Sequence, residues 1–298
     1  MGRKIHVVIN PASGKPQPIL HTLNQVFRAA GIDWDISLTK QSGDAERLAR
    51  QAAENGYDVV AAFGGDGSVM EVSRGLFGTS VPMAILPGGT ANLMSVELGI
   101  PKNLEQAATI AADPESPVRW IDAGEVGGST FLLRVGTGFP ARKVAYADRK
   151  MKDRWGLMAY TISAVKALSN SPKAHYRLTV DEHVVECDTP ACQVYNAGNM
   201  GTPGVTLVKG IDVSDGLLDL LALREAALTD ILSKGAHFIE HASTEELFYH
   251  WQARQIRIDA DPPQPVQVDG EVGWNTPVSI QVIPRAVSVI VQTQNLIS

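Results

Sequence analysis

Val59-Val60-Ala61-Ala62-Phe63-Gly64-Gly65-Asp66-Gly67-Ser68 decides the fold. Five apolar residues run straight into three glycines that hold one carboxylate and one hydroxyl. Without a side chain, glycine lets the backbone approach a ligand closely and adopt φ > 0. Backbone N–H groups gathered in such a turn form a concavity suited to anionic oxygens. Asp66 cannot itself favour an anion, so the reading calls for a cation, most simply Mg²⁺, between its carboxylate and a phosphate. A nucleotide phosphate site at the end of a buried strand is the first expectation.

The flanking sequence supplies the sheet. Ile5 to Ile9, Trp34 to Thr39, Val59 to Phe63 and Met83 to Leu86 read as strands. Between them, Ile19 to Ala30, Asp44 to Asn55 and Val69 to Leu76 carry helical spacing, and the first helix stops at Gly31. Strands that alternate with helices and are apolar throughout predict a parallel α/β sheet covered on both faces. Ligands of such sheets sit beyond the carboxyl ends of the strands. Three turns fall there: Asn10-Pro11-Ala12-Ser13-Gly14-Lys15, Gly64 to Ser68, and Pro87-Gly88-Gly89-Thr90.

The rhythm changes after about residue 120. Val118 to Ile121, Thr130 to Val135, His175 to Val180, Gln193 to Tyr195, Leu217 to Leu223, Gln255 to Asp259, Val266 to Val268 and Val278 to Ile283 read as strands, many ending at Gly, Pro, Asn or Asp. That pattern predicts an antiparallel sandwich or barrel. Helical segments are expected at 155–169 and 228–241, and Val287 to Val291 as a last strand. The expected division is 1–122, 123–286, and a tail 287–298 that can return to the first domain.

Composition is that of an ordinary globular protein. Of 298 residues, 44% are apolar and 19% charged, and the net charge of −6 argues against general nucleic-acid binding. Cys187 and Cys192 are the only cysteines, too few for a disulfide framework and a poor metal signal, so thiols in a reducing cytoplasm are expected. No stretch reaches the roughly 18–20 apolar residues of a membrane span. Work on a lipid would then proceed from the membrane surface. The basic cluster Arg142, Lys143, Arg149, Lys150, Lys152 and Arg154 reads either as a solvated surface or as a contact for anionic head groups.

Some motifs mislead. Gly14-Lys15 lacks the first glycine of a P-loop, and Pro16 stands where a hydroxyl should hold Mg²⁺. Gly136-Thr137-Gly138-Phe139-Pro140-Ala141 fits G-x-G-x-x-A without the βαβ context. His237-Phe238-Ile239-Glu240-His241 spaces two imidazoles for zinc but offers no third ligand. Asp215-Gly216 and Asp269-Gly270-Glu271 read, on their own, as hairpin turns.

Assembled in order, these elements resemble the diacylglycerol kinase catalytic-domain family, in its bacterial soluble lipid-kinase branch, a family that also includes sphingosine kinases. Asn10 to Lys15 matches N-P-x-S-G-K; Gly64 to Ser68 with Glu71-Val72 matches G-G-D-G-[ST]-x-x-E-V; Pro87 to Asn92 matches P-x-G-T-x-N. Ile121-Asp122 with Gly124 matches the domain junction, Asp215-Gly216-Leu217-Leu218-Asp219 matches D-G-x-L-D, and Asp269-Gly270-Glu271 the late D-G-E.

The resemblance implies a Rossmann-like ATP domain, a β-sandwich domain and a cleft between them. It implies ATP and Mg²⁺ as cofactors, a lipid hydroxyl as acceptor, and no nucleic-acid partner; a homodimer is left open. Asn10, Ser13, Thr39, Gly64, Gly65, Asp66, Gly67, Ser68, Val69, Met70, Thr90 and Asn92 would line the ATP site, with Asp66 and Asn92 organising the Mg²⁺ and phosphate region. Asp215, with the backbone carbonyls of Asp212 and Leu217, would hold a second, structural Mg²⁺, and Asp122 would join a water network between the two regions. Asp269 or Glu271 would take the proton of the acceptor hydroxyl, a role suited to an alcohol whose pKa lies far above 7. Many members carry Asn at the position of Met70, Asp at that of Leu93, and an acid at that of Pro140. A nucleotide kinase resembling NAD kinase shares G-G-D-G but does not account for the opening N-P-x-S-G-K. A non-catalytic lipid- or nucleotide-binding regulator is the third reading.

Overall fold

The computed structural model describes residues 3–14, 16–138, 173–199, 210–225, 227 and 244–293. The helices expected at 155–169 and 228–241, the basic residues 142–154, Lys15, Pro140 and His237 to His241 lie outside them.

The first part runs β1 (Lys4–Ile9), α1 (Ile19–Ala29), β2 (Asp33–Leu38), α2 (Asp44–Glu54), β3 (Val59–Gly64), α3 (Asp66–Leu76), β4 (Met83–Pro87), α4 (Leu93–Glu97) and α5 (Leu104–Ala112). The strands pair in parallel in the order β2-β1-β3-β4. Right-handed crossovers put α1 on one face and α2 and α3 on the other. Accordingly α2 packs on α3, and α1 on α5. With both faces covered, all six residues of β3 are buried, which is why its sequence is apolar without alternation. α3 begins at Asp66 rather than Val69, so the glycine turn is also the first turn of a helix.

The second part contains β5 (Val118–Val126), β6 (Ser129–Phe131), β7 (Arg134–Gly138), β8 (Ala174–Val180), β9 (His183–Thr189), β10 (Ala191–Tyr195), β11 (Leu218–Leu223), β12 (Phe248–Ala253), β13 (Gln255–Asp261), β14 (Pro265–Val268), β15 (Glu271–Asn275) and β16 (Val278–Ile290). An antiparallel sheet, β12-β11-β10-β7-β14-β15, faces the other strands across a core. Val135, Cys192, Val194, Leu218, Leu220 and Val266 come from that sheet; Tyr176, Leu178, Ile256, Ile258 and Ile280 come from the facing leaf. The architecture is a sandwich rather than a barrel.

The facing leaf is not a separate sheet. It continues the parallel one, in the order β2-β1-β3-β4-β16-β13-β8-β9, with β5 and β6 on a branch. β16 makes the junction. The two expected strands, 278–283 and 287–291, are one strand bent at a bulge. Its first part pairs with β13 in the sandwich, and at its far end Val289 lies opposite Met83 of β4. Val287, Val289 and Ile290 are buried in the core of the first sheet.

The bulge is pinned by one carboxylate. Arg285 sits at φ 51, and its N–H donates to Asp122 Oδ1 at 2.7 Å. Asp122 Oδ2 accepts the Gly216 N–H at 2.7 Å, and the Asp122 N–H donates to the Val213 carbonyl at 2.6 Å. Asp122 is 1% exposed. Its carboxylate binds two backbone amides directly. Replacing it by alanine leaves two donors without an acceptor. Asp122→Ala should cost about 2 kcal/mol or more of stability, read as a lower urea midpoint at constant m, and an unchanged midpoint would refute the pinning role.

Candidate functional site

Three loops close over the carboxyl ends of β1, β3 and β4. The Asn10 side chain donates to Ser68 Oγ at 3.1 Å and accepts the Ala12 N–H at 3.0 Å. The Gly64 carbonyl accepts the N–H groups of both Gly88 and Gly89, at 2.8 and 3.1 Å. Here glycine is needed for loop-to-loop approach. A Cβ on Gly14, at φ 73, would lie 1.8 Å from the Gly88 carbonyl oxygen, and one on Gly89 would lie 2.5 Å from the Gly65 Cα. Ser13 Oγ and Ser68 Oγ flank Gly64. Thr39 joins the same rim, its N–H donating to the Ile9 carbonyl at 3.0 Å, and Gly67 and Thr90 are exposed beside it. Asn10, Ser13, Gly64, Gly65, Ser68 and the Gly88–Gly89 turn are thus one contiguous structure.

Asp66 is turned toward α4. Its Oδ1 accepts the Met94 N–H at 3.3 Å. Burial pushes its carboxyl up, opposed by the amides of Met94, Leu93 and Asn92. Asn92, left-handed at φ 52, clamps Gly89 by two hydrogen bonds of 2.9 Å and sets the direction in which α4 leaves. Val69 and Met70 are 3% and 5% exposed, and their side chains belong to the core under the loops. Glu71 accepts from Ser42 Oγ and the Ala45 N–H, both at 3.1 Å. It caps α2, whose own N-cap, Gly43, has no side chain to do so.

The segment 212–217 lies against β5. Asp212 is paired with Arg119 and accepts the Ser214 N–H at 2.9 Å, while Arg119 Nε donates to Ser214 Oγ at 2.8 Å. Asp215 accepts the Leu217 N–H at 2.9 Å. Burial raises its carboxyl, the Leu217 amide opposes this, and the charges of Asp219, Asp212 and Asp122 raise it further. Such crowding of like charge is a setting that a cation beside Asp215 would relieve. Among the described residues no three His, Cys, Asp or Glu side chains form a cation cage; the expected ligands are one carboxylate and two carbonyls. Glu97, Arg119 and the Asp219–His250 contact (2.6 Å) were not singled out from the sequence. They come from distant segments, and only Asp219 stands in a motif.

The late turn separates its two acids. Asp269 and Gly270, at φ 44 and 99, make the hairpin turn between β14 and β15. The Asp269 carboxylate accepts three backbone amides: Leu132 at 3.1 Å, Leu133 at 3.2 Å and Arg134 at 2.8 Å. The strand expected over 130–135 is therefore two strands, because the amides at its break point to Asp269. Burial outweighs these amides and pushes the Asp269 carboxyl up to about 6. Glu271, one residue past the turn, is exposed. Among the described residues no hydrogen bond joins this turn to Gly64–Ser68. Leu132 and Leu133 connect them, with side chains in the first core and amides on Asp269.

A raised carboxyl favours the fold only while protonated. Its contribution is complete below the unfolded value of about 4 and is lost as pH rises through about 6. Stability curves for the wild type and Asp269→Asn should therefore diverge in favour of the variant between pH 4 and 7, by up to about 3 kcal/mol. Parallel curves would contradict this placement.

Known proteins share both parts. Residues 4–126 match the model of the "Diacylglycerol kinase catalytic domain", and residues 134–291 that of the "YegS C-terminal NAD kinase beta sandwich-like domain". A "Putative lipid kinase" of Staphylococcus haemolyticus is 29% identical over 269 residues, 87% of this chain and 86% of that protein. An "Uncharacterized protein" of Synechocystis is 29% identical over 316 residues, covering 97% and 70%. A crystal structure of "a putative diacylglycerol kinase from Bacillus anthracis str. Sterne" superposes with a TM-score of 0.80 at 27% identity, covering 99% of this chain and 97% of that one. A second structure from that organism gives 0.77 at 26%. The two family models together span nearly all of the chain, on a parallel sheet continuous with a sandwich, and the chain belongs to the diacylglycerol kinase-like family of lipid kinases.

Proposed function

We propose that this protein transfers the γ-phosphate of ATP to a hydroxyl of diacylglycerol or a related amphipathic lipid, with Mg²⁺. The observation that carries the reading is the joining of the three glycine loops at one rim, with Asp66 at the start of α3 beside them. Glycine turns at the start of a helix such as α3 suit phosphate oxygens through the free N–H groups of the first helical turn. We place ATP there, against Asn10, Ser13, Thr39, Gly64 to Ser68 and Thr90; the buried side chains of Val69 and Met70 support the loop from below. Asp66 and Asn92 fix the phosphate region. Asp215 and the carbonyls of Asp212 and Leu217 would hold a structural Mg²⁺, whose charge, when bound, would offset the acidic cluster around them.

Glu271 is the better placed of the two acids to take the acceptor proton. Asp269 already accepts three amides, whereas Glu271 is exposed. Asp269 then positions Glu271 by shaping the turn. A hydroxyl gains nucleophilicity as its proton leaves, while orientation and charge neutralisation supply most of the rate. We assign 1–122 to the nucleotide domain and 123–286 to the sandwich, with 287–298 returning to the first; the last boundary falls at the bulge of β16. No helix among the described residues is long and apolar enough to cross a membrane, so we place the acceptor at a bilayer surface.

Isotopic γ-phosphate transfer to a total lipid extract, with mass spectrometry of the labelled product, tests the reading and names the acceptor. ATP binding without transfer to any lipid would leave the regulator reading, and NADP formation from NAD the nucleotide-kinase one. For the base, Glu271→Gln should lower kcat about 10²- to 10⁴-fold with little change in ATP affinity. Asp269→Asn should retain more activity than Glu271→Gln, and the reverse order would move the proton acceptor to Asp269.

A further inference from the structure

We propose that Glu97 is a positioning residue that ties Asp66 to the second half of the chain through α4; this rests on the lipid-kinase reading above. α4 is five residues long, Leu93–Glu97, and a helix so short has no stability of its own. Its placement is set by what holds its ends. At the first turn, the Met94 N–H bonds the Asp66 carboxylate. At the last residue, Glu97 Oε2 accepts the Asn199 N–H at 2.7 Å, the length of a charge-assisted bond. One helix of about 7 Å therefore carries a carboxylate contact at each end. One contact reaches the phosphate rim, and the other reaches the segment that follows β10.

The links continue on the far side. Asn196, three residues before Asn199, donates to the carbonyls of Leu132 and Asp122 at 2.8 and 3.0 Å. Leu132 is also one of the residues whose amide holds Asp269. The Glu97 carboxyl also feels Arg119 and Asp212, the pair that flanks the expected cation site. Asn199 and Asp212 thus come from the second half of the chain, while Glu97 stands on a helix of the first. Met94, Ser95 and Val96 are buried, so α4 moves as a unit and a shift at Glu97 reaches the amides that face Asp66.

The test compares Glu97→Ala, Glu97→Gln and the wild type. The alanine variant should lower kcat about 10- to 100-fold with KM for ATP nearly unchanged, as expected of a misplacement of about 1 Å. Glutamine keeps an oxygen for the Asn199 amide and should restore most of the loss. Equal losses in both variants, or no loss in either, would overturn the proposal. Hydrogen exchange supplies a readout independent of turnover: amides 92–98 should exchange faster in Glu97→Ala while those of β3 do not change. Unchanged exchange at 92–98 overturns the proposal whatever the activity. If the wild type transfers no phosphate but exchange changes as stated, the kinase reading fails and the role of Glu97 in holding α4 stands. Should the alanine variant not fold, Glu97→Asp, which keeps the charge and shortens the reach, gives the same comparison.

Discussion

The structure depends on the Asp122 carboxylate holding two backbone amides in a place water barely reaches. β16 passes from the antiparallel to the parallel part of one sheet through a bulge, and a bulge leaves backbone groups out of the ladder. Buried amides without acceptors are costly, so the bend persists only where a side chain supplies one. Asp122 supplies it to Arg285 and also fastens Gly216, one residue after the acid of the expected cation site. Bending of the sheet and placement of that acid are therefore one constraint.

The same logic runs through the motif acids. Glu71 caps a helix that starts at glycine, Asp269 serves three amides at a break between strands, and Asp66 faces the first turn of α4. Each stands where local geometry orphans N–H groups. A conspicuous carboxylate in a glycine-rich turn can answer to its own backbone as well as to a ligand. Among these acids Glu271 is exposed, and it stands out only by contrast with its neighbours.

Much of this was legible in the sequence. The parallel sheet followed from the unbroken apolar runs of β3 and β4, from a β1 run that only His6 interrupts, and from the helices between them. The rim followed from three turns at carboxyl ends. β9 and β12 were not legible: His183 to Thr189 is a short, largely exposed strand at the edge of its sheet, and Phe248 to Ala253 carries aromatic residues on both faces. β15 was hidden in what read as a turn. The unity of β16 could not be read, since Pro284-Arg285 looks like an interruption and only a partner from residue 122 turns it into a bend. The contact of Glu97 with Asn199 carries no motif at all, being a meeting of side chain and backbone across about a hundred positions.

The path of β16 bears on how the molecule is made. During synthesis residues 4–87 can assemble their four parallel strands early, but β4 then presents an open edge. The strand that covers it is contributed by residues near 289, so the sheet stays unfinished until that segment has left the ribosome. An unpaired, apolar edge invites association with other chains. The nascent protein is exposed to that hazard for the whole interval in which the sandwich is being translated, and closing the last strand is what ends it.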